Sequence, residues 1–364
     1  MIKNAQKGIG ILLVVALWLG LTAGAWLRPD AEFSVTERRE LAKLPSMSWE
    51  KILDGSYMSE FESYSLDQFP LRNEFRSLKA LAQYKLVRQL DNNGIYIVDG
   101  SAAKLEYPLD TASVDRALQL FRKMYDRYLG ESKVYATVVP DKGYYLAQSE
   151  GYPVMDYEKL FQEVEQGMPY ASYVNLEDLL EAADYYRTDT HWRQEELIPV
   201  ANRICDAMET DRPEGLTEKK QEEPFYGVYY GQAALPMAAD TLYTMEGGWL
   251  DVCTVFNYET GKTTGVYDWD KLTGNDLYEV FLSGSVSLLR IDNPNATTDR
   301  ELIIFRDSFG SSIAPLLSRG YRSVTVVDIR YLSSSKLDRL IDFHGQDVLF
   351  LYSTLVLNNS NQLQ

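Results

Sequence analysis

The sequence predicts an α/β protein: a parallel sheet flanked by helices, with one apolar helix ahead of it. Three observations lead there. Short apolar runs of strand length at 134–139, 302–305, 324–329 and 348–352 alternate with helical stretches, which demands crossover connections and parallel strands. The run 8–27 is almost uninterrupted apolar sequence. The remainder has the ordinary composition of a folded domain, 45% hydrophobic and 24% charged over 364 residues.

The N-terminal run is long enough to cross a bilayer at about 1.5 Å per residue. Lys3 and Lys7 precede it and should stay in the cytoplasm, so the rest of the chain is expected outside. Ala23-Gly24-Ala25 also reads as a cleavage site, but the length of the apolar run favours an uncleaved anchor. The expected arrangement is a single-pass protein of the cell membrane with an extracytoplasmic body.

The chain then divides, by its changes of character, into an anchor or signal at 1–29, a helical juxtamembrane region at 30–92, and a main domain at 93–364. A β-rich insertion or sheet edge is expected at about 210–300. In the juxtamembrane region, 33–41 opens with cap-like residues and reads as a helix start. Helical spacing recurs at 49–65 and 71–90, with Pro70 between. These helices either pack on the main domain or bind a partner. In the main domain, 95–98 is a strand turning at Asp99-Gly100, 114–129 a helix, and 134–139 a strand ending in Pro140-Asp141-Lys142-Gly143. A helix at 157–166, a short strand at 173–174, and helices at 176–183 and 195–208 follow. The last stretch alternates strand and helix: 302–305, 312–318, 324–329, 334–343, 348–352. Phe305 and Ile329 should stand at the carboxyl ends of neighbouring parallel strands.

A net charge of -17 with no basic run argues against nucleic acid. Cys205 and Cys253 make no disulfide framework; they form one bridge or, as the better reading, two buried thiols.

Two stretches carry chemistry. Arg187-Thr188-Asp189-Thr190-His191-Trp192 contains one of only two histidines in the chain. If extended, it puts Asp189 and His191 on one face, so that a carboxylate can orient the imidazole. Arg306-Asp307-Ser308-Phe309-Gly310 sets a serine between a strand and a helix, at the sheet edge where open α/β folds place ligands. Backbone N–H groups there can hold an oxyanion. Together the stretches offer acid, base and nucleophile for acyl transfer. Each also has a plainer reading. Asp307 or Ser308 can simply cap the helix, and His191 can be a satisfied core histidine. A metal held by Asp189, His191 and Asp307 is the rival chemistry, but it lacks further nearby histidines.

The Arg-Thr-Asp-Thr-His-Trp stretch resembles the signature of the DHHW family of exported bacterial proteins. It is also similar to the periplasmic, SGNH-hydrolase-like alginate O-acetylation proteins. The resemblance extends in order through Asp67-Gln68-Phe69-Pro70-Leu71-Arg72, Asn275-Asp276-Leu277-Tyr278, Arg306-Asp307-Ser308-Phe309 and Val326-Val327-Asp328-Ile329-Arg330-Tyr331, covering roughly 30–355. It implies an SGNH-like fold in circularly permuted order, with Ser308 as nucleophile, His191 as base and Asp189 as its orienter. Trp192, Arg330, Tyr331, Arg187 and Asp307 are expected at the substrate or around the triad. Thr190 stands where the family name has its first histidine; it should point away from the chemistry. The usual oxyanion blocks are not recognisable. Gly284 with Ser285, and the Ser308 N–H, are the candidates offered.

The expected function is O-acetyl transfer or acetyl-ester hydrolysis on a cell-surface or secreted polysaccharide. The alternative is a non-enzymatic glycan-binding or envelope-assembly protein that keeps the site. No lipid, nucleotide or metal cofactor is expected. The resemblance adds a membrane-bound O-acyltransferase as a possible partner and acyl donor.

Overall fold

The computed structural model describes residues 2–147 and 151–364, with side chains from residue 8 onward; those of Lys3 and Lys7 lie outside the described set. The chain divides into two compact units: 1–93 with 231–236, and 94–230 with 237–364.

In the second unit, eight strands form one sheet. In chain order they are β1 (Val134–Val139), β2 (Ser172–Tyr173), β3 (Thr254–Asn257), β4 (Lys262–Thr264), β5 (Leu288–Asp292), β6 (Glu301–Arg306), β7 (Ser323–Val327) and β8 (Asp347–Ser353). Across the sheet they run β4-β3-β5-β7-β6-β8-β1-β2. From β7 to β2 every pairing is parallel; β5, β3 and β4 extend the sheet as an antiparallel edge. Phe305 pairs with Val327 on the neighbouring strand, and Ile329 lies two residues past that strand's end.

Alternation along the strands builds two cores, because successive strand side chains leave by opposite faces. Leu302, Ile304, Leu349 and Leu351 face helices Ile198–Ala207 and Gly310–Leu317. Ile303, Phe305, Val348 and Phe350 face helices Thr111–Tyr128 and Tyr157–Gly167. Burying each such side chain is worth roughly 1.5–3 kcal/mol, so the sheet is a stiff platform with its carboxyl edge left for other work. The Asp99-Gly100 turn joins strands Ile95–Val98 and Ser101–Lys104; both residues have positive φ, 47° and 79°, as a two-residue hairpin turn requires.

The 210–300 stretch is antiparallel β in two parts. Part is the hairpin Thr217–Phe225 with Asp240–Glu246, and part is the antiparallel edge β3-β4-β5. Two sequence expectations for this unit's helices change, at 176–183 and 334–343. The stretch 176–183 is not a helix but two 3-10 turns, because Leu180 and Glu181 run extended and bury Leu180 in the core. The stretch 334–343 shortens to a 3-10 turn at Ser334–Arg339. Cys205 and Cys253 are buried free thiols, which closes the bridge alternative.

The first unit begins with helix Ile2–Leu27, whose segment Gly8–Leu27 has mean hydropathy 2.1 and is long and apolar enough to cross a membrane. The expected helix at 33–41 is instead a small hairpin, 33–34 against 39–40, turning through Arg38 at positive φ. The reason lies in Asp67-Gln68-Phe69-Pro70-Leu71-Arg72. Asp67 accepts two hydrogen bonds from Arg39 and one from the Ala42 N–H, Gln68 bonds Ala31 and Ala42, and Arg72 pairs with Glu37. Those long-range partners outbid local helix formation. Helices Trp49–Leu53 and Ser56–Asp67 are broken at Gly55, and Arg72–Ala82 runs into a π turn at Gln83–Val87.

Candidate active site

Ser308 sits where β6 gives way to helix Gly310–Leu317. Asp307 makes the turn. One carboxylate oxygen accepts the Phe309 N–H at 3.0 Å, and the other accepts the Ser353 N–H at 2.7 Å, tying the ends of β6 and β8 together. Position 310 must be glycine, since a Cβ there would come within 2.6 Å of the Arg306 Cβ. Ser308 is left half-buried, and among the described residues its N–H has no protein partner.

The opposing loop has little regular structure of its own. Tyr185 bridges Trp192, and the Tyr186 N–H donates to the His191 carbonyl, so 186–191 is a tight loop rather than the extended segment expected. Asp189 and His191 meet through a side-chain turn instead: the Asp189 carboxylate accepts the His191 backbone N–H at 3.1 Å. Remote groups hold the loop. Asp240 accepts the Arg187 and Thr188 N–H groups and the Thr188 hydroxyl. The Val228 N–H donates to the second Asp189 oxygen at 2.8 Å. Gly227 permits this approach, because a Cβ there would fall 2.2 Å from the Asp189 Cβ. The Lys142 ammonium donates to three loop carbonyls.

The two pieces meet at the side chains. The Ser308 Oγ lies 2.8 Å from His191 Nε2, and His191 Nδ1 lies 2.5 Å from an Asp189 oxygen. Asp189 is fully buried and His191 nearly so. The imidazole lies flat against the Tyr278 ring, centroids 3.8 Å apart and planes 6° from parallel, with Phe309 at 5.1 Å. The Tyr278 hydroxyl is fixed by Ser312 at 2.9 Å. This arrangement can pass a proton from a serine hydroxyl to an imidazole whose far nitrogen faces a buried carboxylate.

The other expected residues divide. Trp192 does not line a pocket; it is fully buried and donates to the Phe309 carbonyl and Ser312 hydroxyl, locking the helix to the loop. Asp307 shapes the turn, as above. Arg187 stands half-exposed beside Asp240 and the Ala239 carbonyl. Arg330 forks onto Asp328, and Tyr331 lies exposed beside it with its ring 5.4 Å from the guanidinium. Burial lowers the Arg330 pKa, but Asp328 outweighs it and the pKa ends raised. The Gly284 carbonyl accepts a long 3.4 Å bond from buried Arg306, and its N–H donates to the Phe281 carbonyl. Thr190 bonds Tyr229. Among the described residues no cluster of His, Cys, Asp and Glu could hold a metal.

Sequence reasoning missed Lys142, Thr188, Gly227, Asp240 and the stacking role of Tyr278. Tyr278 carried a signal through the block that begins at Asn275, and Thr188 through its place in the Arg187–Trp192 stretch. The others act from far along the chain.

No family model and no curated protein matches this chain. Solved structures do. One is a DHHW family protein from Eubacterium siraeum: 21% identity, 75% of this chain and 94% of that one, TM-score 0.61. Another is Bacillus cereus PatB1 with a sulfonyl adduct: 15% identity, 72% and 95% coverage, TM-score 0.55. The O-acetyltransferase domain of Pseudomonas putida AlgJ is a looser likeness, at 15% identity, 73% and 92% coverage and TM-score 0.46, too distant to bear on function. The chain therefore has the fold of the E. siraeum DHHW family protein, with one apolar helix ahead of its α/β body.

Proposed function

We propose that the protein is a membrane-anchored, extracytoplasmic serine O-acyltransferase or esterase that carries acetyl groups to or from a polysaccharide. The observation that carries this reading is the 2.8 Å contact between Ser308 Oγ and His191 Nε2, with Asp189 on the other ring nitrogen. His191 takes the Ser308 proton as Oγ attacks the acetyl carbonyl. The imidazolium then faces Asp189, and the Ser308 N–H faces the developing oxyanion. Collapse expels the donor alcohol, which takes the proton back from His191, and leaves acetyl-Ser308. A sugar hydroxyl or water, deprotonated by His191, attacks this ester and restores the serine. Tyr331, exposed on the same carboxyl edge, offers a stacking face for a sugar ring.

The acetyl group and the glycan rest on the ordered sequence resemblance; the fold shared with PatB1, which carries a sulfonyl adduct, suits the same chemistry. The test is labelling by a sulfonyl fluoride, together with single-turnover release from p-nitrophenyl acetate. Wild type should label at Ser308 and show a burst, and Ser308→Ala should do neither. No labelling and no burst would remove the enzymatic reading. The anchor has its own test: protease added to intact protoplasts should digest the body beyond about residue 30, and a protected body would reverse the orientation.

A further inference from the structure

Beneath the 185–192 loop lies an ammonium group that the proposed acyl chemistry does not use. Lys142 follows β1 and is buried. Its Nζ donates to the carbonyls of Tyr186 at 2.6 Å, Asp189 at 3.0 Å and Arg187 at 3.3 Å. A protonated lysine has three donors and no acceptor, so three carbonyls use it completely. The carbonyls line the turn that leads to His191 through Asp189, a turn otherwise closed by the single Tyr185–Trp192 bridge.

The charged groups facing Lys142 are Asp189 on the loop, Asp240 on the hairpin strand and Asp141 on its own turn, and the Tyr229 ring is 5.5 Å from Nζ. Each carboxylate is engaged elsewhere: Asp189 by His191 and Val228, Asp240 by Arg187 and Thr188, Asp141 by Thr354, Tyr157 and the Gly143 N–H. The ammonium's own hydrogens are thus committed to the loop backbone.

We propose that protonated Lys142 is a positioning residue that sets His191 against Ser308 by gathering the three carbonyls of its loop. This rests on the acyl-transfer reading above. A neutral amine has only two N–H donors, and its lone pair would face a carbonyl oxygen. Proton loss must therefore weaken the hold on Tyr186 or Asp189 unless it gives up only the 3.3 Å bond to Arg187, whose carbonyl also takes the Ala102 N–H at 2.7 Å. Burial pushes Lys142 down to about 7, against the pull of the three carboxylates. The grip should therefore slacken as pH rises past that value.

The test compares wild type with Lys142→Met, nearly isosteric but without donors. With p-nitrophenyl acetate, kcat should fall by about 10–100-fold with KM little changed, as for a misplaced catalytic group. The wild-type decline in kcat above about pH 7 should be absent from the variant. A second readout needs no activity. The chain has two histidines, and His344→Gln assigns the other, so the His191 Nδ1–H can be followed by NMR. Wild type should show it as a protected downfield proton, and folded Lys142→Met should lose it. An unchanged signal and an unchanged alkaline limb would overturn the proposal. Should the variant fail to fold, the wild-type signal decides: it should fade through pH 7, and persistence to pH 9 refutes the role. If Ser308→Ala keeps full ester turnover, the acyl-transfer reading falls while the NMR arm still judges the grip on His191.

Discussion

The nucleophile and the base are held in opposite ways. Ser308 stands on regular structure: a central strand before it, a helix after it, and Asp307, its chain neighbour, pinning the turn. His191 stands on a loop held group by group from elsewhere: Lys142 and Asp240 take its backbone carbonyls and N–H groups, while the Val228 and Gly227 N–H groups donate to the Asp189 carboxylate and the Thr188 hydroxyl. A local device keeps its geometry while the sheet survives. A device assembled from distant contacts can lose its geometry while the fold stays intact. Changes at the junction should therefore register as stability, and changes around the loop as activity.

The comparison breaks most sharply at its two ends. Ser308→Ala and His191→Ala should each lower acetyl-ester turnover by a factor on the order of 10⁴, and the double variant should be hardly worse, because such groups act as one unit. Additive losses, measured by single-turnover release with folding checked by thermal melt, would mean that the two residues do separate jobs.

Next is the closest approach in the loop. Gly227→Ala places a Cβ where Asp189 already is, 2.2 Å from its Cβ, so Asp189 and with it His191 must move. A displacement near 1 Å costs about 100-fold in rate. The melting temperature should fall far less than that loss suggests. A variant as active as wild type would show that the loop tolerates displacement.

The paired test sets Asp307→Ala against Asp240→Ala. The first strips partners from two buried N–H groups, those of Phe309 and Ser353, at roughly 1–3 kcal/mol each. Denaturant unfolding should report that loss, with much of the rate per folded molecule retained. The second frees the N–H of exposed Arg187 and the N–H and hydroxyl of buried Thr188, on a loop outside the sheet. It should lose turnover before stability. The reverse pattern would overturn the contrast between the two regions.

The same contrast explains what could be read from the sequence. The strands at 134–139, 302–305 and 348–352 announce themselves because parallel strands buried on both faces need unbroken apolar runs. Ser308 could be placed from its neighbours alone. The pairing of Asp189 with His191 was legible as residue types two apart, but its cause was not: the expected alternation of an extended strand is in fact a side-chain turn. Lys142 and Asp240 are a turn lysine and a polar residue in sequence, because nothing local says that a loop 44 to 53 positions away will claim them. The 33–41 hairpin failed for the same reason, since Asp67 takes Arg39.

The smallest effect is the most specific, since it separates stability from activity through one proton. Lys142 has a folded pKa of about 7, while an unfolded lysine titrates near 10.4. Between those values the unfolded chain binds more protons than the folded one, so this group makes stability rise with pH. Below pH 7 both states are protonated and the burial cost is borne in full. Above it the folded amine sheds its charge and that cost is relieved, by at most about 1.4 kcal/mol per pH unit. Wild type should gain in unfolding free energy over Lys142→Met from pH 7 to 8.5, since methionine cannot titrate. Turnover should fall over the same interval, as the third donor leaves the loop. Stability and rate moving in opposite directions are hard to obtain from general alkaline damage, which lowers both. Denaturant melts and kcat measured on the same samples decide it, and a parallel decline of the two would assign the alkaline limb to something other than Lys142.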